Sequence, residues 1–191
     1  MEKSIQRKNI LSILNKMSEE EHSRKSSAVI ANLWNDPAFV RAEVVGVTIS
    51  AFPEVDTVKL IEKCWQAGKR VAVPKCQPLT RLMDFYIIEN LGQLETVYMK
   101  LLEPKVSETE YISPAKINLM IVPGVAFAKN GYRIGFGGGY YDRYLADYSG
   151  ITRSLAFSCQ IVDSVPVEEH DIPVEGIYTE NGYIDAGKVN G

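Results

Sequence analysis

Short segments that are apolar on both faces recur along this 191-residue chain, and segments with helical periodicity separate them. Residues 44–50 read VVGVTIS and residues 117–122 read INLMIV, as expected for strands in the interior of a parallel sheet. Further strands are predicted at 70–73 (ended by Pro74), 82–88 and 153–157. Strands buried on both faces need helices on both sides of the sheet. The pattern predicts one domain over residues 1–191, a three-layer α/β/α fold with a mostly parallel, open twisted sheet.

Helical signals flank these strands. The first helix is predicted over residues 2–17, where Ile10 and Leu14 begin an apolar stripe. Ser18 and Glu21 fit a capping box that starts a second helix, which the Asn35-Asp36-Pro37 run ends. A third helix is predicted between Asp56 or Thr57 and Gly68, and residues 90–115 are predicted to be mainly turns.

Composition excludes several classes of function. The net charge of −3 argues against a nucleic-acid partner recognised through bulk charge. No apolar stretch approaches the roughly 18–20 residues of a membrane span, and the N-terminus lacks a secretory signal. Three widely spaced cysteines and two histidines argue against a zinc site or a disulfide framework. We therefore expect a cytoplasmic protein that binds small molecules.

The glycine-rich segment 133–142 reads RIGFGGGYYD and is the most informative part of the chain. It follows the predicted strand 117–122 and an Asn130-Gly131 turn, and a helix is predicted to begin near Gly139 or Tyr140 and to extend to Tyr148. Free amides of such a loop and the helix N-terminus would favour phosphate. A plain turn that uses glycine for its positive φ is the alternative. The segment matches neither the Walker A nor the GxGxxG pattern.

Parallel α/β sheets usually bind ligands at the carboxyl ends of their strands, near the point where strand order reverses. The loops after Ser50, Val73, Val122 and Phe157 are therefore the expected places for a ligand.

Several motifs together resemble the 5-formyltetrahydrofolate cyclo-ligase family, also called methenyltetrahydrofolate synthetase. The residues that carry the resemblance are RIGFGGGYYDRYL at 133–145, Lys3 and Arg7 four positions apart, AFPEVDT at 51–57, VPGVAF at 122–127 and His170-Asp171. The resemblance runs along the whole chain. It implies a magnesium-dependent enzyme that converts 5-formyltetrahydrofolate and ATP into 5,10-methenyltetrahydrofolate, ADP and phosphate.

The resemblance also implies a mechanism without a protein nucleophile. The formyl oxygen attacks the γ-phosphate of ATP, the folate nitrogen at position 10 attacks the activated formyl carbon, and phosphate leaves. Such chemistry depends on positioning and on charge stabilisation. In agreement, the sequence has no GxSxG motif and no Cys–His motif.

Carried onto this sequence, the resemblance assigns ATP binding to two segments. They comprise Lys3, Ser4, Ile5, Gln6 and Arg7, together with Arg133, Ile134, Gly135, Phe136, Gly137, Gly138, Gly139, Tyr140, Tyr141 and Asp142. Lys3 and Arg7 lie one helical turn apart, so both can reach one triphosphate, although on spacing alone two basic residues of a terminal helix usually belong to a solvated face. Some relatives carry a lysine where this chain has Gly138. Arg133, Lys75 and Arg143 are the candidates for the charge that meets the transferred phosphate.

The remaining assignments concern metal and folate. Asp142 and Asp171 are the expected magnesium contacts, because this hard cation prefers oxygen ligands. Glu54 is expected to accept two neighbouring N–H groups of the pterin ring. Ile49, Cys76 and Tyr140 are expected to line the folate pocket.

Two alternatives remain open from the sequence. One is a sugar-phosphate isomerase or acyl-transfer enzyme on a similar scaffold, which would need one phosphate subsite and a base such as Glu54 or Asp142. The other is a non-catalytic module that binds nucleotide or folate. For any of these functions we expect a monomer or a weak dimer.

Overall fold

A computed structural model gives the fold of residues 1–187, the part of the chain that the structure describes. The predicted domain extends to residue 191, and its last four residues lie outside this part. The helices are α1 (Lys3–Leu14), α2 (Glu19–Leu33), α3 (Pro37–Arg41), α4 (Thr57–Gln66) and α5 (Tyr140–Leu145). The strands are β1 (Val44–Gly46), β2 (Arg70–Gln77), β3 (Leu82–Ile88), β4 (Leu94–Thr96), β5 (Leu102–Pro104), β6 (Glu110–Ile112), β7 (Leu119–Ile121), β8 (Ala126–Ala128), β9 (Arg133–Ile134), β10 (Ile151–Leu155), β11 (Ile161–Val162), β12 (Gly176–Thr179) and β13 (Gly182–Asp185).

Eight of these strands form one sheet in the order β13-β12-β10-β7-β1-β2-β3-β6. The central pairs β12–β10, β10–β7, β7–β1 and β1–β2 are parallel, whereas the outer pairs are antiparallel. The chain runs outward from β1 through β2, β3 and β6, and returns to β7 on the other side of β1. Strand order therefore reverses between β1 and β7.

The sheet is covered on both faces, as the two-sided apolar strands require. Val45, Val71 and Leu119 share one face and pack in a core cluster with side chains of α1, α2 and α4. Ala72 and Met120 belong to the opposite face, where α5 contributes Leu145. This arrangement confirms the predicted three-layer α/β/α fold with a mostly parallel sheet.

Local predictions are confirmed in most elements and wrong in a few. Ser18 caps α2 by accepting a hydrogen bond from the Glu21 amide, and the predicted strand at 82–88 is β3 itself. The expected end of β2 at Pro74 is wrong, because β2 continues to Gln77. Pairing with β1 stops at Ala72, so the missing N–H of Pro74 removes no bond from that ladder. The helix predicted to reach Tyr148 ends at Leu145.

Among residues 1–187, no helix has both the length and the apolar character needed to cross a membrane. The hairpin of β12 and β13 has no counterpart in the sequence prediction. It completes the edge of the sheet beside β10.

A buried ion pair fastens the loop before α3 to β10. The Asp36 carboxylate, 4% exposed, accepts a hydrogen bond of 2.7 Å from Arg153 Nε and one of 2.8 Å from the Ala38 amide. The same carboxylate thus caps α3 and neutralises a guanidinium that is only 12% exposed.

We predict that Asp36→Ala lowers the free energy of unfolding by about 3 kcal/mol, because it leaves the largely buried Arg153 guanidinium with only the more distant Glu175 carboxylate and removes a helix cap. Urea denaturation measures the loss. Glu110→Ala, which breaks the exposed ion pair with Arg70, is the matched control and should cost less than about 1 kcal/mol. Equal losses in the two variants would contradict a special role for Asp36.

Candidate active site

The carboxyl ends of β1 and β7 open into a narrow cleft at the point where strand order reverses. Its lining comes from the residues that follow the two strands, with contributions from β10 and the loop before α4: Val47, Thr48, Ser50, Glu54, Val55, Thr57, Ile121, Val122, Pro123, Gly124, Leu155 and Gln160. A groove of about 350 Å³ adjoins it and shares Ser50 and Glu54. Three of the four predicted ligand loops therefore meet at this edge.

The glycine loop lies beside this edge, between the β8–β9 hairpin and α5. Gly137 and Gly139 have φ values of 101° and 71°, which L side chains rarely adopt. Within residues 1–187, the amides of Gly137 and Gly138 donate no hydrogen bond to the protein. They remain available to an anion. Because α5 has only six residues and a weak helix dipole, the loop amides would contribute more than the dipole to the binding of an anion.

Helix α1 packs against this loop. The Nε of Arg7 donates a 2.8 Å hydrogen bond to the carbonyl of Gly135. A Cβ placed at Gly137 would lie 3.9 Å from Nη2 of Arg7, so the guanidinium faces the loop. The two segments that the resemblance assigns to ATP therefore lie together, and the charge of Arg7 lies beside the free amides. Arg143 approaches from α5, with Nη1 3.0 Å from the Cβ position of Gly139.

Lys3 joins the same helix to the segment at 168–171. Its Nζ lies 2.8 Å from Asp171 Oδ2 and 3.2 Å from Glu168 Oε2. Burial alone would lower the pKa of Lys3, but its hydrogen bonds to the two carboxylates raise it above the usual value. Burial would likewise raise the pKa of Asp171, and the hydrogen bonds from Lys3 and the Glu168 amide hold it below the usual value. Asp171 is therefore ionised at neutral pH.

A second ion pair ties the start of α5 to the same segment. Arg133 Nη2 lies 3.1 Å from Asp142 Oδ1, while Arg133 Nη1 donates a 2.7 Å hydrogen bond to the Ile172 carbonyl. The Ile172 amide donates to the same Asp142 oxygen at 3.1 Å. Burial lowers the pKa of the Arg133 guanidinium, and the nearby Asp142 carboxylate opposes that shift. Arg133 is thus engaged in holding Asp142.

Tyr141 connects the glycine loop to the cleft. Its hydroxyl is hydrogen-bonded to the Thr48 hydroxyl at 2.5 Å, and burial raises the pKa of Tyr141 above its usual value. Thr48 follows β1 and lines the cleft together with Glu54. The loop and Glu54 therefore belong to one continuous site.

Glu54 is the most perturbed acid of this site. Burial raises its pKa to about 7, and one weak hydrogen bond of 3.4 Å from the Ala51 amide opposes the shift. No cation neutralises it within the described part of the chain. A ligand that brings N–H donors to this carboxylate would favour its charged form.

His22 holds the backbone of Glu54, a contact that sequence reasoning missed. Its Nε2 lies 2.5 Å from the Glu54 carbonyl, and its ring packs edge-on against Phe52 and Phe157 at centroid distances of 5.0 and 5.7 Å. Nothing in the sequence marks His22 for this position, because the contact joins α2 to a loop 32 residues away.

Other predicted site residues are placed differently. Lys75 is held by Glu95 and Glu103 at 3.0 and 3.2 Å, in contact with the β4–β5 hairpin rather than with the glycine loop. Ile49 is 6% exposed and lies within the core beneath the helices. Cys76, by contrast, packs against the same apolar cluster as Tyr140 and Tyr141. Gln6 donates to the Ser164 carbonyl, and Ser4 and Ile5 are exposed on α1.

Oxygen ligands suitable for a hard cation are present. Both hydrogen bonds that Asp142 accepts within residues 1–187 go to Oδ1, which leaves Oδ2 open. Ligand atoms of Glu168, His170 and Asp171 lie within 4.8 Å of one another. The carboxylate oxygens of Asp142 and Asp171 are ligands of the kind that magnesium prefers, and Lys3 shares the Asp171 carboxylate.

Comparisons with known proteins agree on one family. The family model for 5-formyltetrahydrofolate cyclo-ligases matches residues 1–180. The chain is 33% identical over 167 residues to the 5-formyltetrahydrofolate cyclo-ligase of Escherichia coli K12, which covers 85% of this chain and 92% of that protein. It is 28% identical over 179 residues to the enzyme of that name from Mus musculus, covering 88% of each. The solved structure of Aquifex aeolicus 5,10-methenyltetrahydrofolate synthetase matches with a TM-score of 0.87 at 32% identity, over 100% of this chain and 96% of that one.

The raised pKa of Glu54 predicts a pH-dependent effect on stability. The folded protein binds the Glu54 proton more tightly (pKa about 7) than the unfolded chain does (4.5), so ionisation between these values destabilises the fold. Relative to wild type, Glu54→Gln should therefore gain about 2 to 3 kcal/mol of unfolding free energy between pH 4 and pH 8. Chemical denaturation across this range measures the gain. Parallel curves for the two proteins would contradict it, and Glu62→Gln, at an exposed acid of α4, is the control.

Proposed function

The chain belongs to the 5-formyltetrahydrofolate cyclo-ligase family, and we propose that it converts 5-formyltetrahydrofolate into 5,10-methenyltetrahydrofolate at the expense of ATP. ADP and phosphate are the other products. The observation that carries the proposal is the loop at 135–139, whose unbonded amides lie beside the Arg7 guanidinium and close to the end of one continuous cleft. A polyanion and a second substrate can thus be bound side by side.

The triphosphate of ATP occupies the glycine loop in this proposal. Backbone amides suit phosphate oxygens because they donate hydrogen bonds and leave room for close approach. Arg7 adds a planar set of donors that can bind a phosphate through two N–H groups. Lys3 supplies a second positive charge on the same helix face, one turn away.

The pterin ring of the folate binds at Glu54. Its amino and ring N–H donors lie side by side, so one carboxylate accepts both. In the free protein, no cation within residues 1–187 contacts this carboxylate and its one hydrogen bond, from the Ala51 amide, is weak, so the charged form lacks strong partners. The ring supplies those partners, and His22 holds the Glu54 backbone in place.

The proposed chemistry needs no nucleophile from the protein. The formyl oxygen attacks the γ-phosphorus, and ADP leaves with the electrons of the broken P–O bond. The nitrogen at position 10 then attacks the formyl carbon and loses its proton, and the oxygen departs with phosphate. The chain's own residues hold the two substrates at the correct distance and stabilise the charge on the transferred phosphoryl group.

Asp142 and Asp171 are the proposed magnesium ligands. The ion would neutralise phosphate charge when bound with ATP. Two features support the assignment: Asp142 has an open oxygen, and Asp171 is ionised through its contact with Lys3. Arg133 serves the site indirectly, because it fixes Asp142 and the segment that carries Asp171.

Location and assembly remain predictions. We propose a cytoplasmic enzyme, in keeping with three free cysteines at positions 64, 76 and 159. A monomer or weak dimer is expected.

The first test follows the near-ultraviolet absorbance of 5,10-methenyltetrahydrofolate when purified protein is mixed with 5-formyltetrahydrofolate and magnesium, with and without ATP. We expect product only with ATP, together with one ADP per product. Product without ATP would contradict the proposed use of ATP and favour the isomerase-like alternative. Saturable binding of both ligands without product would favour the binding-module alternative.

Separate variants test the triphosphate site. We predict that Lys3→Ala and Arg7→Ala each raise the KM for ATP by about tenfold, the loss expected for one charge-assisted hydrogen bond, with much less effect on the KM for folate. Steady-state kinetics with each substrate varied gives both constants. Lys8→Ala, an exposed lysine of the same helix, is the control. Equal increases for both substrates would remove Lys3 and Arg7 from the triphosphate site.

A further inference from the structure

The turn between β2 and β3 brings a basic side chain to the glycine loop from the side opposite α1. Arg81 is the last residue of this turn, and its amide donates a 2.9 Å hydrogen bond to the Gln77 carbonyl. A Cβ placed at Gly138 would lie 3.7 Å from Nη1 of Arg81. A Cβ placed at Gly137 would instead lie 3.9 Å from Nη2 of Arg7. Successive glycines of the loop therefore face two guanidinium groups that belong to distant parts of the chain.

Tyr140 holds the Arg81 side chain in this position. The guanidinium carbon lies 5.8 Å from the centroid of the Tyr140 ring, within the range of a cation–π contact. The ring also explains the glycine at 138, because a Cβ there would lie 2.6 Å from Cδ2 of Tyr140. The Tyr140 ring occupies the space that a side chain at position 138 would need, and Arg81 lies beyond the ring.

The charge of Arg81 is not neutralised by any acid within residues 1–187. Three other cations discussed above differ in this respect: Lys3, Lys75 and Arg133 each contact at least one carboxylate. Stacking on a ring leaves the N–H groups in the guanidinium plane free to donate. Arg81 thus presents unused donors next to amides that are also unused.

The backbone at Arg81 supports a role for its side chain. Its φ of 59° lies in the left-handed region, which glycine adopts without strain and arginine does not. A residue kept in such a conformation despite its side chain is often part of a functional site.

We propose that Arg81 is a further substrate-contacting residue, whose guanidinium binds the phosphate chain of the nucleotide from the side opposite Arg7. The inference rests on the proposed use of ATP. It adds to the reaction a charge that no motif in the sequence identifies. The nucleotide's phosphates would then be held between α1 and the β2–β3 turn, with the loop amides beneath them.

Arg81→Gly tests the proposal without a folding penalty, because glycine suits this φ. We expect kcat/KM for ATP to fall about 10- to 100-fold, the range for one or two charge-assisted hydrogen bonds, with the KM for 5-formyltetrahydrofolate nearly unchanged. Arg81→Lys should recover part of the loss, since it restores the charge without the planar donors. Arg41→Ala, at an exposed arginine of α3, is the control. Unchanged ATP kinetics in Arg81→Gly, or equal losses for both substrates, would overturn the proposal.

Binding of inorganic tripolyphosphate, measured by calorimetry, separates this proposal from the proposed function. Wild type should bind it more tightly than Arg81→Gly by the same factor that the kinetics show. If the wild-type reaction proves independent of ATP, the proposed function fails, and the calorimetry still decides whether Arg81 binds polyphosphate. Identical binding by the two proteins would overturn the role of Arg81 alone.

Discussion

The guanidinium of Arg133 has a side-chain exposure of 6%, and a charge buried to this extent would cost several kcal/mol without a partner. Its partners are the Asp142 carboxylate and the Ile172 carbonyl, so the charge can be buried only when β9, α5 and the segment after Asp171 meet. The glycine loop lies between the first two of these elements. Its conformation, the position of Asp142 and the placing of Asp171 near Lys3 all depend on this interaction.

Much of the fold follows from the sequence, because individual strands have apolar residues on both faces and each must therefore be buried on both sides. The apolar residues at 44–46 and 119–121 require helices on both sides, and the helices are there. Local structure can also be predicted where a single residue determines it, as Ser18 does at the start of α2 and Gly131 does in its turn. The end of β2 could not be predicted from the local sequence. The strand continues past Pro74 because its neighbour β1 is short and pairs with it only as far as Ala72, and the length of a neighbouring strand is a property of the sheet.

The sequence predicts the relative placement of some residues of the candidate site, and there is a physical reason why it does not predict the others. Motif residues such as Arg7, the glycines and Asp142 come together as expected, because the motif and the site share one stretch of chain or one helix face. Lys75 pairs with Glu95 and Glu103 because the β4–β5 hairpin folds back over β2, a contact that no local pattern reports. Folding alone brings His22 and Arg81 to the candidate site, and neither lies within a glycine-rich or acidic run.

The proposed phosphate-binding region joins residues that lie far apart in the sequence. Lys3 and Asp171, which touch at 2.8 Å, are separated by 168 positions in the sequence. During synthesis on a ribosome, the sheet from β1 to β7 can be complete in sequence while this contact still has no second partner. The contact between Lys3 and Asp171 therefore forms only late in translation, after the segment at 168–171 has left the exit tunnel. Until then, a ligand that needs both Lys3 and Asp171 cannot stabilise the nascent chain.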